Sequence, residues 1–295
     1  MSYLEPRAKG LVLVFLSATV FSTAGLFTKG ITADSWTIVF WRGVFAALVT
    51  LVFIIARGAF RREFLKMGWS GWAVVATYVT GTPAYIAAFK LTTIANVSLI
   101  YAAAPFVTAG FAWILINERP TKTVVLAALM ALGGVGIIVG DSIGQVNLQG
   151  DLLTLWMTVC MAVMMIIYRR YPNTPAAGPS VLGSIFLLPI AAYFSDPFAA
   201  QLSEIPYMVA FGLVFALASI TLAAGSRYLP AAQTALFSAM DAPLAPIWAY
   251  LIMAEVPTAR TIIGGSIIMI AVIANSKIQS RKPRTRLVCE TASVP

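Results

Sequence analysis

The chain has 295 residues, of which 60% are hydrophobic and only 11% charged, with a formal net charge of +9 and a mean hydropathy of +0.87. Soluble domains carry about a quarter charged residues, so this chain has too few to cover a water-facing surface and reads as a membrane protein. It contains no histidine, which removes Ser-His-Asp catalysis, zincin sites and imidazole ligation of haem. Cys160 in an apolar run and Cys289 in a basic tail make neither a disulfide framework nor a metal site. No cofactor is expected. The basic residues sit in short clusters between apolar runs, a pattern of membrane topology rather than of nucleic-acid binding.

At about 20 apolar residues per span, this length accommodates about ten transmembrane helices and leaves no room for a sizeable soluble domain. In chain order, the apolar runs predict spans over Gly10–Phe27, Trp36–Ala56, Trp69–Phe89, Ala95–Ile116 and Val124–Val139. A second set follows over Leu152–Tyr168, Val181–Phe194, Tyr207–Ala224, Ala232–Met253 and Ile262–Ser276. The first is read as a retained helix rather than a signal peptide. The seventh is short and interrupted by Gly183 and Pro189, which a helix inside a bundle tolerates. With ten spans, 16 of the 20 Lys and Arg residues fall on one side, among them Arg57, Arg61, Arg62, Arg169 and Arg170. Lys29, Lys90 and Arg260 fall on the other side, and Arg42 lies within a span. The positive-inside rule then places both termini in the cytoplasm of a bacterial inner membrane.

Sliding the chain against itself by 137 positions aligns Lys90 with Arg227, Ala95 with Ala232, Leu99 with Leu236 and Ala112 with Ala249. It also brings Glu118-x-Pro120-Thr121 onto Glu255-x-Pro257-Thr258, with Pro105 and Pro243 one residue out of step. Such a coincidence at a helix end indicates duplication: a five-helix repeat over residues 1–143, a second over 144–278, and a basic cytoplasmic tail over 279–295. An odd number of spans per repeat makes the two halves enter the bilayer from opposite sides. Inverted repeats that can exchange packings favour a transporter. The expected architecture is all-α: ten transmembrane helices as two inverted five-helix repeats around a central cavity.

The segment LPAAQTALFSAMDAPLAPIWAYLIMAEVPTARTIIGGSIIMIAVI and its weaker image ANVSLIYAAAPFVTAGFAWILINERPT share a pattern. Small residues lead to a mid-helix proline, an aromatic, an acidic-x-Pro-Thr corner and a Gly-rich helix. This resembles the repeat unit of the drug/metabolite transporter superfamily, EamA type. The opening SATVFSTAGLFTKG and FWRGVFAALVTL resemble the start of that unit. The resemblance covers nearly the whole chain and implies a five-plus-five basket with a central cavity, in a group that includes exporters of amino acids and other metabolites. Within that group the likeness points to the YddG-type aromatic amino acid exporters.

A helix facing a wet cavity should carry polar and aromatic side chains along one stripe. The third span does so with Tyr78, Thr82 and Tyr85, and the fourth with Ser98, Tyr101, Pro105 and Thr108. The first offers Ser17, Phe21, Ala24 and Thr28, and the ninth Gln233, Phe237, Met240 or Asp241, and Leu244. Ordinary helix packing is the competing reading for each such residue. Asp241 is the one carboxylate well inside a predicted span. It either binds a substrate amine or a proton, or caps backbone N–H groups freed near Pro243 and Pro246. Arg42 either attracts a substrate carboxylate or snorkels to the outer headgroups, the second being favoured. Trp41 is expected as an interfacial or lipid-facing anchor.

Lys90 and Arg227, in equivalent turns, are read as helix C-cap charges ahead of gates. Pro83, Pro105, Pro189, Pro243 and Pro246 permit kinks. Gly133, Gly134, Gly136 and Gly140 with Gly264 and Gly265 allow the fifth and tenth spans to pack closely, ahead of a dimer face.

The resulting expectation is an exporter or facilitator of small amphipathic metabolites, most specifically aromatic and other amino acids, working by alternating access as a monomer in the lipid bilayer. Candidate substrate-contacting residues are Phe21, Arg42, Tyr78, Thr82, Tyr85, Ser98, Tyr101, Phe237, Met240 and Asp241. A nucleotide-sugar or phosphorylated-sugar antiporter would place several Lys or Arg in the cavity. A membrane-embedded enzyme would need a cluster of reactive groups. No enzymatic activity and no nucleic-acid partner are expected.

Overall fold

The computed structural model describes residues 6–92, 97, 100, 101, 103–139, 147–253 and 259–280. The first half contains α1 (Pro6–Phe21), α2 (Ala24–Gly30), α3 (Ser35–Ala56), a π turn over Arg61–Leu65, α4 (Gly68–Leu91), α5 (Ala104–Ile116) and α6 (Lys122–Val139). The second contains α7 (Leu148–Arg170), α8 (Ala177–Phe194), 3-10 turns at Pro197–Ala199 and Leu202–Glu204, α9 (Ile205–Ser226), α10 (Ala231–Ser238), α11 (Asp241–Met253) and α12 (Ala259–Ser280). Five segments are long and apolar enough to cross a bilayer: Pro6–Thr28, Ser35–Ala56, Leu148–Arg170, Ala177–Phe194 and Leu202–Ser226. Ala104–Ile116, Lys122–Ile137 and Ile262–Asn275 are shorter apolar helices. α4 has 24 residues, but its threonines and tyrosines leave it less apolar than those five.

The packing repeats itself when the halves are exchanged. α3 lies against α8, and α6 against α12, each pair joining equivalent spans of the two halves. The α4–α7 contact has its counterpart in α9–α1, α9–α3 in α4–α8, and α5–α7 in α10–α1. A two-fold relation between duplicated halves produces such paired contacts. With five spans in each, the halves run in opposite directions through the bilayer. The α6–α12 seam is a backbone contact: a Cβ on Gly134 would lie 2.7 Å from the Gly264 carbonyl oxygen and 2.8 Å from Ile268 Cγ1. A Cβ on Gly133 or Gly136 would meet nothing within 4 Å. The seam therefore uses Gly134; of the GxxxG pair, Gly136 makes no such contact and Gly140 lies outside the described residues.

Two predicted spans are broken. Ser22 and Thr23 separate α1 from α2, and Ala239 and Met240 separate α10 from α11. At the first break, Ser22 Oγ donates to the Thr19 carbonyl at 2.6 Å and Thr23 Oγ1 to Val20 at 2.8 Å. Hydroxyls bonded back to the preceding turn compete with the helix ladder. At the second, Pro243 lies two residues into α11 and cannot donate to the preceding turn. The fourth span turns at Ala103, just ahead of Pro105 in the first turn of α5. Pro83 and Pro189, by contrast, sit inside unbroken helices, so the interrupted seventh run is one continuous α8.

Matching ties hold the two ends of the bundle, which lie beyond opposite ends of α4, about 36 Å apart at 1.5 Å per residue. At one end Glu204 accepts from the Thr32 N–H at 2.6 Å and the Thr32 hydroxyl at 2.7 Å, while Lys90 Nζ donates to the Ile31 carbonyl at 2.8 Å. At the other, Glu63 accepts from the N–H groups of Ala177 and Gly178 at 3.1 and 3.0 Å, and the Arg227 guanidinium donates to the Thr174 carbonyl. Each pair fixes the turn that enters α3 or its counterpart α8. Lys90 and Arg227 therefore each reach a carbonyl on a neighbouring segment. Nearby, Glu118 pairs with Arg169 at 3.3 Å; the matching Glu255-x-Pro257-Thr258 lies outside the described residues.

Candidate functional site

The two helix breaks and the turn at Ala103 converge on one cavity of about 130 Å³ at the centre of the bundle. Its wall takes Ser22 and Gly25 from the α1–α2 break, Tyr101 from ahead of α5, and Ala239, Asp241 and Ala242 from the α10–α11 break. Discontinuous helices at the interface of inverted repeats bring backbone dipoles and free polar groups to the middle of the membrane. Trp248 of α11 holds the first break in place, its Nε1 donating to Ser22 Oγ at 2.8 Å. α4 presents Thr77, Tyr78, Gly81, Thr82, Tyr85 and Phe89 to the cavity, which accounts for its lower hydropathy.

Six of the sequence-derived candidates meet here: Phe21, Tyr78, Thr82, Tyr85, Tyr101 and Asp241. Phe237 and Met240 do not; both are buried in the hydrophobic core. Ser17 and Thr28 of the first-span stripe are likewise packing residues, with Ser17 Oγ donating to the Ala218 carbonyl at 2.8 Å and Thr28 Oγ1 to Ala24 at 2.9 Å. Ser98 lies outside the described residues. Asp241 begins α11 and lines the cavity, with its own backbone N–H and that of Ala242 the polar groups beside its carboxylate.

Arg42 does not snorkel. It is 2% exposed, and its guanidinium carbon lies 3.7 Å from the centroid of the Phe215 ring and 5.5 Å from that of Phe211. Helical rise gives the depth of a residue in a span but not the face it occupies, and this one faces α9. Trp41 packs on Phe40, Phe45 and Phe198 and donates to the Pro197 carbonyl at 2.7 Å, a fixed position at that end of the bundle.

Sequence reasoning missed the contribution of α7. Met157, Cys160, Met161 and Met164 line the cavity at i, i+3, i+4 and i+7, a sulfur-rich helical stripe. Phe215 and Ser219, one turn apart on α9, complete the wall. Thioethers and aromatic rings give an adaptable apolar surface, and Asp241 is the one charged residue among the described lining residues. Groups of His, Cys, Asp and Glu able to hold a metal ion are absent among the described residues.

An inverted-repeat helical bundle with broken spans around a central membrane cavity is the architecture of a membrane carrier. A crystal structure of another protein superposes on 93% of this chain and 98% of its own with a TM-score of 0.80 at 20% identity, which establishes the shared fold. The chain belongs to the EamA-like transporter family, whose model matches twice, over residues 8–140 and 148–277. It is also similar to the uncharacterized transporter YyaM of Bacillus subtilis (strain 168), at 27% identity over 180 residues, or 56% of this chain and 58% of that relative.

Proposed function

We propose that the protein carries small amphipathic zwitterions, foremost the aromatic amino acids, through the central cavity by alternating access. The observation that supports this reading is the lining: a ring-sized, sulfur- and aromatic-rich pocket with one carboxylate among its described lining residues. A volume of about 130 Å³ is close to that of an engineered apolar cavity, about 150 Å³, that accepts benzene. An aromatic side chain would sit against Tyr78 and the α7 methionines, with its ammonium group directed to Asp241. A phosphorylated or nucleotide-linked sugar fits poorly, because the described lining contains no Lys or Arg.

Both termini would face the cytoplasm of a bacterial inner membrane, with 16 of the 20 Lys and Arg residues on that side. The protein would act as a monomer without a cofactor and without catalysis. Transport is tested in proteoliposomes with labelled phenylalanine, tryptophan, threonine, a quaternary ammonium and a nucleotide sugar, each with and without a pH gradient. Aromatic amino acids are expected to move, and Tyr78→Ala or Tyr101→Ala to slow them. Flux of every amino acid equal to that of empty liposomes would overturn the reading.

A further inference from the structure

Among its described lining residues the cavity supplies a negative charge for an ammonium group, in Asp241, but for a carboxylate only hydroxyl donors and no cation. Behind that wall, on α3, lies a guanidinium without a counter-ion among the described residues. Arg42 Nε and Nη1 are buried and have no hydrogen-bond partner among the described residues. The carboxylates nearest the start of α3 are occupied: Asp34 caps α3 through the Trp36 and Thr37 N–H groups, and Glu204 holds Thr32. The face of Phe215 covers Arg42 at 3.7 Å, and the same ring lines the cavity, with Phe21 and Tyr78 in edge contact at 5.9 and 6.2 Å between centroids. The Tyr85 phenol, also on the cavity wall, lies within electrostatic reach of both Arg42 and Asp241.

A buried charge with no partner is costly, and a leucine or methionine would pack α3 against α9 without that cost. The aromatic faces offset only part of it. What a guanidinium offers that no apolar residue can is a planar fork of donors matched to a carboxylate.

We infer that Arg42 is the carboxylate receptor of the transport site, reached from the central cavity past the Phe215 ring. The inference rests on the amino-acid reading above and completes it. Asp241 takes the ammonium end of a zwitterion, Arg42 its carboxylate end, and the ring-sized space between them the side chain. Substrates that lack a carboxylate would leave the guanidinium as it is now, unpaired, and would bind more weakly for that reason.

The test uses the full-length protein in detergent and compares matched ligands by thermal shift and by competition for transport: 3-phenylpropionate against 3-phenylpropanol, and phenylalanine against phenylalanine amide. Loss of a charge-assisted hydrogen bond to a buried charge predicts an affinity about 10- to 100-fold higher for each carboxylate in the wild type. Arg42→Gln should bring each pair within about two-fold by the same reasoning, and Arg42→Lys, which keeps the charge without the fork, should fall between. Equal affinity within both pairs in the wild type overturns the inference, and that comparison holds even where Arg42→Gln fails to fold. Preference for 3-phenylpropionate without any phenylalanine transport would sink the amino-acid reading and leave the Arg42 site standing. Equal transport of phenylalanine and its amide would do the reverse.

Discussion

Replacing Asp241 separates its two duties. As a cap it would serve the first residues of α11, where its own N–H and that of Ala242 lie beside the carboxylate. The Ala242 and Leu244 N–H groups also reach the Ala239 and Met240 carbonyls at 3.3 Å, and Pro243 has no N–H to satisfy. The side chain therefore shares the helix start with these long backbone bonds. Asp241→Asn, which retains an acceptor oxygen, should change stability by less than about 1 kcal/mol, and Asp241→Ala should cost about 0.5–2 kcal/mol, the usual range for a lost cap. The charge is a different matter. If it receives the substrate ammonium, its removal forfeits a charge-assisted bond of about 1.5–3 kcal/mol, so Asp241→Asn should lower phenylalanine affinity about 10- to 100-fold. Binding of 3-phenylpropionate, which has no ammonium, should be little affected. Thermal unfolding in detergent and competition flux in proteoliposomes read the two effects separately. An Asp241→Asn protein with wild-type phenylalanine affinity, beside a destabilised Asp241→Ala protein, would reduce the carboxylate to a cap and refute the ammonium role.

Other substitutions probe the scaffold. Gly134→Ala drives a methyl into the Gly264 carbonyl oxygen and should lower thermal stability by about 1–3 kcal/mol; Gly133→Ala, with nothing within 4 Å, should unfold at the wild-type temperature. Glu63→Ala strands the Ala177 and Gly178 N–H groups at the start of α8. It should cost about 1–3 kcal/mol by the same assay, and an unchanged unfolding temperature would mean that water replaces the carboxylate. A Cβ on Gly183 would come within 2.7 Å of Tyr78 Cβ. Gly183→Ala should therefore displace Tyr78 and reduce phenylalanine flux. Full flux would show that Tyr78 has room to move.

The ten-span plan and its duplication are legible in the sequence because hydropathy and the Glu-x-Pro-Thr corner are properties of contiguous residues. The α4 stripe of Tyr78, Thr82 and Tyr85 is legible for the same reason, since its spacing on one helix fixes one face. Breaks in the first and ninth spans are not, although the Ser22-Thr23 pair and Pro243 are the local groups that produce them. A run of apolar residues has the same hydropathy whether the helix is whole or interrupted. The ties at the two ends depend on partners far apart in sequence, Glu63 with Ala177 and Glu204 with Thr32, so each acid reads as an ordinary loop carboxylate until the fold is known. For Arg42 the missing quantity is helix rotation, which neighbours on α9 determine.

The carboxylate ties carry one more implication. Glu204 reaches from the second half to the first, and Glu63 from the first half to the second, each gathering two donors. On the proposed alternating-access reading, parting the halves at either membrane surface would strip a carboxylate of two donors, so a lock of the same kind stands at both ends. Whatever makes one opening easier than the other must then come from groups without a mirror image. Asp241 is such a group, since positions 103 and 104 of the first half, its counterparts in the proline register and in the 137-residue shift, both hold alanine.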